Sequence, residues 1–134
     1  MSQENIELLR GIYADWAQGD FSSAEWADSE IELVIADGPS PGRWTGLEAL
    51  GKTWGEMLSV WDGLRAKFEG YRELDGERVL VFTRNTGRGK ASGLELGELE
   101  TRGANLFHIA DGKVTRLVTY FDRRRAFADL GLSE

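Results

Sequence analysis

The stretch from Ala104 to Asp122 constrains the fold more than any other part of the chain. It consists of two runs rich in β-branched and aromatic residues, joined at Asp111-Gly112, and that pattern predicts a long antiparallel hairpin. A short apolar tail from Arg123 to Leu132 follows it.

Upstream, the hydrophobic period is helical at first. Ser2, followed by Gln3 and Glu4, is a candidate cap, and Ile6, Leu9, Ile12, Tyr13 and Trp16 recur at three- and four-residue spacing until Gly19. Ser22-Ser-Ala-Glu25 has the form of a capping box and predicts a short second helix carrying Trp26, with a first strand over Glu30 to Ala36. Asp37-Gly-Pro-Ser-Pro-Gly42 is turn chemistry. Thr45-Gly-Leu-Glu48 is a second capping box, opening a helix whose apolar stripe is Leu47, Leu50, Trp54, Met57, Leu58 and Trp61.

After Gly63 the period changes to that of a strand, with Leu64, Ala66 and Phe68 alternating against Arg65, Lys67 and Glu69. Asp75-Gly76 marks a hairpin turn, Val79 to Thr86 a second long strand, Gly87 to Gly93 a glycine-rich bend, and residues 94–109 a third strand with a bulge or kink. The fold class that follows is α+β, with helices segregated to one face of a strongly bent sheet.

At 134 residues the chain has the length of one domain, residues 1–134, long enough to bury a core without disulfide or metal staples. No apolar run approaches the roughly 20 residues of a membrane span, and the polar start Met1 to Asn5 is unlike a secretory signal, so a cytoplasmic protein with no membrane partner is expected. Without cysteine, thiolate nucleophiles and thiolate metal sites are excluded. With 23 acidic and 16 basic residues the net charge of −7 repels polyanions, and nucleic acid is not an expected partner. The basic clusters Arg84 to Lys90 and Arg123 to Arg125 read as solvated charge.

The glycine-rich stretch lacks the spacing of a phosphate loop, since Lys90 is followed by Ala91 and sits between strands. His108 is the single histidine, so no multi-histidine metal site exists, and alternation with Asn105, Phe107 and Ile109 turns it away from the concave side. No metal and no cofactor are expected. Trp16, Trp54 and Trp61 lie on apolar helix faces, where they are either core or the wall of a cavity.

Taken together, the helical opening, Trp44-Thr-Gly-Leu-Glu-Ala-Leu50, Asp111-Gly-Lys-Val114 and Thr119-Tyr-Phe-Asp122 resemble the SnoaL-like branch of the nuclear transport factor 2-like superfamily. The resemblance implies a cone-shaped curved antiparallel sheet wrapped around three helices, enclosing one pocket. It also implies a homodimer through the outer sheet face, where His108, Val118 and Tyr120 would otherwise be an exposed apolar liability.

The same resemblance supplies candidate residues. Ketosteroid isomerase, a relative in that superfamily, uses an aspartate base with a tyrosine and a protonated aspartic acid as oxyanion donors. Laid along this chain, the base falls at or beside Asp37 and the protonated acid on Asn105, while the tyrosine falls near Ile12, one place before Tyr13. Limonene-epoxide hydrolase needs an arginine between two aspartates; the arginine aligns with Arg84, but the aspartates fall on Thr86 and Thr119, so that mechanism is lost. Arg84, in phase with Leu80, Phe82 and Thr86, is then expected to point into the cavity and bind an anionic or carbonyl group. Asp122 is expected to cap the tail.

The expected function is therefore that of a small-molecule pocket protein. In the catalytic version it performs acid/base chemistry on an apolar oxygenated substrate without a cofactor: Asp37 is the base, Asn105 and Arg84 polarise a carbonyl, and Ile12, Trp16, Trp54, Trp61, Phe82, Phe107, Leu117, Thr119 and Phe121 line the pocket. The alternative is a non-catalytic carrier or binding protein for a small hydrophobic ligand in the same pocket.

Overall fold

A computed structural model describes residues 2–37, 41–59, 61–91 and 94–132, the side chains of residues 2, 57, 58, 61, 62 and 88–100 excepted. Helix α1 (Ser2–Trp16) is followed by strands β1 (Ala27–Ile35) and β2 (Gly42–Thr45), helix α2 (Leu47–Ser59), strands β3 (Trp61–Glu73), β4 (Arg78–Ala91), β5 (Leu94–Ala110) and β6 (Lys113–Tyr120), and helix α3 (Arg123–Leu130). The strands form one curved, unclosed sheet in the order β2-β1-β6-β5-β4-β3. All neighbours are antiparallel except β1 and β6, which run parallel with Leu33 beside Leu117.

The expected final hairpin is present. Asp111 and Gly112 both have positive φ, 51° and 75°, the pair of left-handed residues that a two-residue turn matched to strand twist requires. Asp75 makes the other tight turn by accepting from the backbone N–H groups of Glu77 and Arg78, both at 2.9 Å.

Residues on alternate positions of the strands build two apolar layers. On the concave side Val79, Val81, Phe107, Ile109 and Leu117 meet Ile6, Leu9, Ile12, Tyr13 and Trp16 of α1 and Leu50 of α2. Leu9, Phe107 and Leu117 are fully buried, each contributing on the order of 1.5–3 kcal/mol. On the opposite side Leu80, Ala104, Leu106, Val118 and Tyr120 pack with Ala126 of α3, joined by Leu130 and Leu132. The outer apolar face is thus covered within the chain: Val118 and Tyr120 are each 5% exposed, which removes the liability that argued for a second copy there.

Four local expectations are corrected. Residues 22–26 form turns instead of a helix: Asp20 accepts from the Ser22 N–H at 3.0 Å and hydroxyl at 2.6 Å, so Ser22 is spent on the turn, and the third helix is α3. Thr45 does not cap α2, because it pairs with Glu32 in β2; the first helical bond runs from Leu50 N–H to the Gly46 carbonyl, at a glycine whose φ is 96°. Helix α2 stops at Ser59, so Trp61 opens β3. The stretch after Thr86 stays in the ladder, with Gly87 opposite Leu99 and Lys90 opposite Glu95 across a register shift, because strand pairing needs only the backbone. Ser92 and Gly93 lie outside the described residues, as do residues 38–40 of the expected Asp37–Gly42 turn.

Candidate functional site

Tyr13 projects from α1 one turn before Trp16 and reaches two side chains standing diagonally on β4 and β5, where Val81 is opposite Asn105 and Thr83 opposite Gly103. Its hydroxyl lies 2.6 Å from Thr83 Oγ1 and accepts from Asn105 Nδ2 at 2.7 Å. A longer contact of 3.5 Å joins Asn105 Nδ2 to Thr83. All three residues are buried. Burial raises the Tyr13 phenol pKa well above the ordinary tyrosine value, and the hydrogen bonds to Thr83 and Asn105 offset only part of that, so the group is a neutral hydroxyl at physiological pH.

Asn105 faces a cavity of about 50 Å³. Its polar wall is Asn85, Thr101, Asn105 and Thr119; its apolar wall is Trp16, Phe21, Trp54, Leu64, Ala66 and Phe121. Ala104 and Tyr120 complete the lining, with the Tyr120 side chain itself packed in the outer layer near α3. Thr119 is 8% exposed, and its Oγ1 has no hydrogen-bond partner among the described residues. A buried hydroxyl left in that state costs about 1–3 kcal/mol, which a ligand oxygen or a water in the cavity would recover. Among the described residues no carboxylate, imidazole or cation belongs to this lining.

Several expected site residues meet here and several do not. Asn105, Trp16, Trp54, Thr119 and Phe121 line the cavity. Ile12, Phe107 and Leu117 are buried in the core and do not belong to the cavity lining. Phe82 points the other way: its ring packs on Phe127 of α3 with centroids 5.6 Å apart. Arg84, two residues on along the regular strand β4, shares that outward phase, where it stands between Lys67 of β3 and Arg102 of β5. The Trp61 side chain lies outside the described residues.

Asp37 is engaged in the architecture. Its Oδ1 accepts from the Phe121 N–H at 2.6 Å and its Oδ2 from the Asp122 N–H at 3.1 Å, so the carboxylate clamps the junction between β6 and α3 and sets the backbone from which Phe121 enters the cavity wall. Asp122 caps α3 by accepting from the Arg124 N–H at 2.9 Å. His108 lies on the outer side and is half-buried, with Nε2 unpartnered among the described residues; burial first, then Arg116 and Arg78, hold its pKa below the ordinary value. Among the described residues no group of three or more His, Cys, Asp or Glu side chains converges on a point that would hold a metal ion.

The sequence reading missed Tyr13, Thr83, Asn85, Thr101 and Phe21. The available signal was Thr83, a polar residue in phase with Val79 and Val81, and Tyr13, one residue from the position to which the isomerase tyrosine aligned.

No curated protein matches the chain significantly. Solved structures do. TerC co-crystallised with polyporic acid has a TM-score of 0.73 at 23% identity, covering 95% of this chain and 97% of that one. A protein with a ketosteroid isomerase-like fold from Catenulispora acidiphila DSM 44928, in complex with trimethylamine, gives 0.70 at 14% identity over 95% and 94%. An NTF2-like protein from Anabaena variabilis ATCC 29413 gives 0.68 at 12% identity over 89% and 87%. These similarities establish a shared fold. The SnoaL-like domain family matches residues 9–117, most of the chain and every buried residue of the concave layer except Ile6. With helices, curved sheet and sequence in agreement, the chain belongs to the SnoaL-like domain family.

Proposed function

We propose that this protein binds a neutral, apolar, oxygenated small molecule in the cone, with the Thr119 hydroxyl donating to the ligand's oxygen beside the Asn105 amide. The observation that carries this reading is the lining: hydrogen-bonding amides and hydroxyls face aromatic rings, with no charged group among the described residues there. Tyr13 and Thr83 fix the Asn105 amide from behind, so its orientation is set before a ligand arrives. The ligands crystallised with TerC and with the Catenulispora protein support the use of this fold for small molecules.

Binding without turnover is favoured over acid/base catalysis by one specific arrangement. The only carboxylate proposed as a base, Asp37, has both oxygens on backbone N–H groups and is not in the cavity lining. The catalytic reading keeps one support, which is that the Thr119 hydroxyl, without a hydrogen-bond partner among the described residues, can donate to a developing oxyanion.

The test uses three compounds with one carbon skeleton: a ketone, the matching alcohol and the matching carboxylate, titrated by calorimetry. The ketone and alcohol bind and are recovered unchanged, while the carboxylate, which would be buried without a countercharge, does not bind. Preferred binding of the carboxylate, or conversion of the ketone that stops in Asp37→Asn, overturns the reading.

A further inference from the structure

The cavity beside Asn105 holds a functional group but not a molecule. Ligand sites usually span about 300–1,000 Å³, far more than the cavity's 50 Å³. A second space of about 260 Å³ adjoins it, between the 21–26 segment and α2. The rings of Phe21 and Trp54 belong to the lining of both, with centroids 6.5 Å apart, so these two side chains are the partition. Phe21 sits in the 20–24 segment, which belongs to neither helix nor strand, and its ring stacks on Trp16 at 5.7 Å.

The groove's floor is unusual for a helix. Gly51 and Gly55 of α2 both line it, one turn apart, and a methyl group added at either would meet no atom within 4 Å. Glycine inside a helix is unfavourable, so two on one face leave open volume at a cost in local stability. Among the described residues no charged side chain lines this groove, in a chain that is 29% charged. At the inner end the nine-tenths-buried Thr119 hydroxyl, without a partner among the described residues, marks where a polar head belongs.

We infer that the ligand is an elongated neutral molecule with one carbonyl or hydroxyl at its end, the head against Asn105 and Thr119 and the apolar tail laid past Trp54 into the groove over Gly51 and Gly55. This rests on the cavity being a ligand site, and it adds the shape of the ligand and the path of its tail. Entry then requires the Phe21 ring to swing off Trp16.

Straight-chain 2-alkanones of increasing length are the probe, with dissociation constants read from the Trp16 and Trp54 indole resonances. Each added methylene tightens binding about fourfold until the groove is full. Gly51→Leu, which fills the groove, abolishes that gain while leaving the shortest ketones unaffected, and Gly55→Leu repeats the test on a second background. Asn105→Ala weakens every member by a similar factor. Affinity that does not grow with length, or growth that survives both leucine variants, overturns the inference; the cavity reading then still stands if Asn105→Ala weakens binding. Absence of binding by every member overturns both.

Discussion

The Asn105 side-chain amide donates to the Tyr13 hydroxyl across 2.7 Å, tying strand β5 to helix α1 over 92 positions of sequence. Replacing Tyr13 by Phe keeps the ring packing and removes the hydroxyl, leaving Asn105 and Thr83 buried without that partner. Stability falls by about 1–3 kcal/mol in urea unfolding. A double variant, Tyr13→Phe with Thr83→Val, loses less than the sum of the single variants, because the three groups act as one network.

Asp37 clamps the backbone of Phe121 and Asp122, so its removal acts on structure. Asp37→Ala costs about 1–3 kcal/mol and raises hydrogen exchange at the amides of residues 121 and 122. Unchanged exchange there would show that the clamp is absent in solution.

Much of this architecture was legible in the chain, and the errors have a common physical origin. The Asp111-Gly112 hairpin, the α1 stripe and the capping role of Asp122 follow from local chemistry that tertiary structure did not override. Strand β4 was phased wrongly because Val79, Leu80, Val81 and Phe82 are apolar on both faces. Helix α3 covers the outer face, so alternation carries no sign there, and Phe82 and Arg84 were assigned to the cavity when Val81 and Thr83 face inward. The Tyr13–Asn105 contact was invisible for a different reason: only the docking angle of α1 on the sheet decides whether Ile12 or Tyr13 reaches β5.

The single imidazole gives a clean pH test. His108 titrates below its ordinary value of 6.5 because burial, then Arg116 and Arg78, disfavour the cation against the smaller opposing effects of Asp75 and Glu32. The unfolded chain therefore binds this proton more readily than the folded one. Stability from this group is fully present above pH 6.5 and is lost as pH falls from there through the folded pKa. Proton NMR titration of the native protein should place the His108 transition below 6.5, and His108→Leu should flatten that limb of the stability profile. A transition above 6.5 would contradict the assignment.

Two glycine positions should respond in opposite directions. At Gly103 a methyl group would sit 2.4 Å from the Tyr120 carbonyl oxygen, backbone that has nowhere to go, so Gly103→Ala destabilises by on the order of 1–3 kcal/mol. At Gly51 the same methyl meets open space, and Gly51→Ala stabilises α2 by about 0.5–1 kcal/mol. Thermal unfolding of the two variants should move to either side of the parent.

The proposed hold of the cone on a neutral molecule at Asn105 and Thr119 is open to direct measurement. Native mass spectrometry of gently purified protein, followed by denaturation and identification of what is released, tests it most directly. The expected release is an uncharged apolar compound bearing a carbonyl or hydroxyl, retained by the parent and missing from an Asn105→Leu, Thr119→Val variant that folds normally. Release of an anionic compound, or equal retention by that variant, would contradict it.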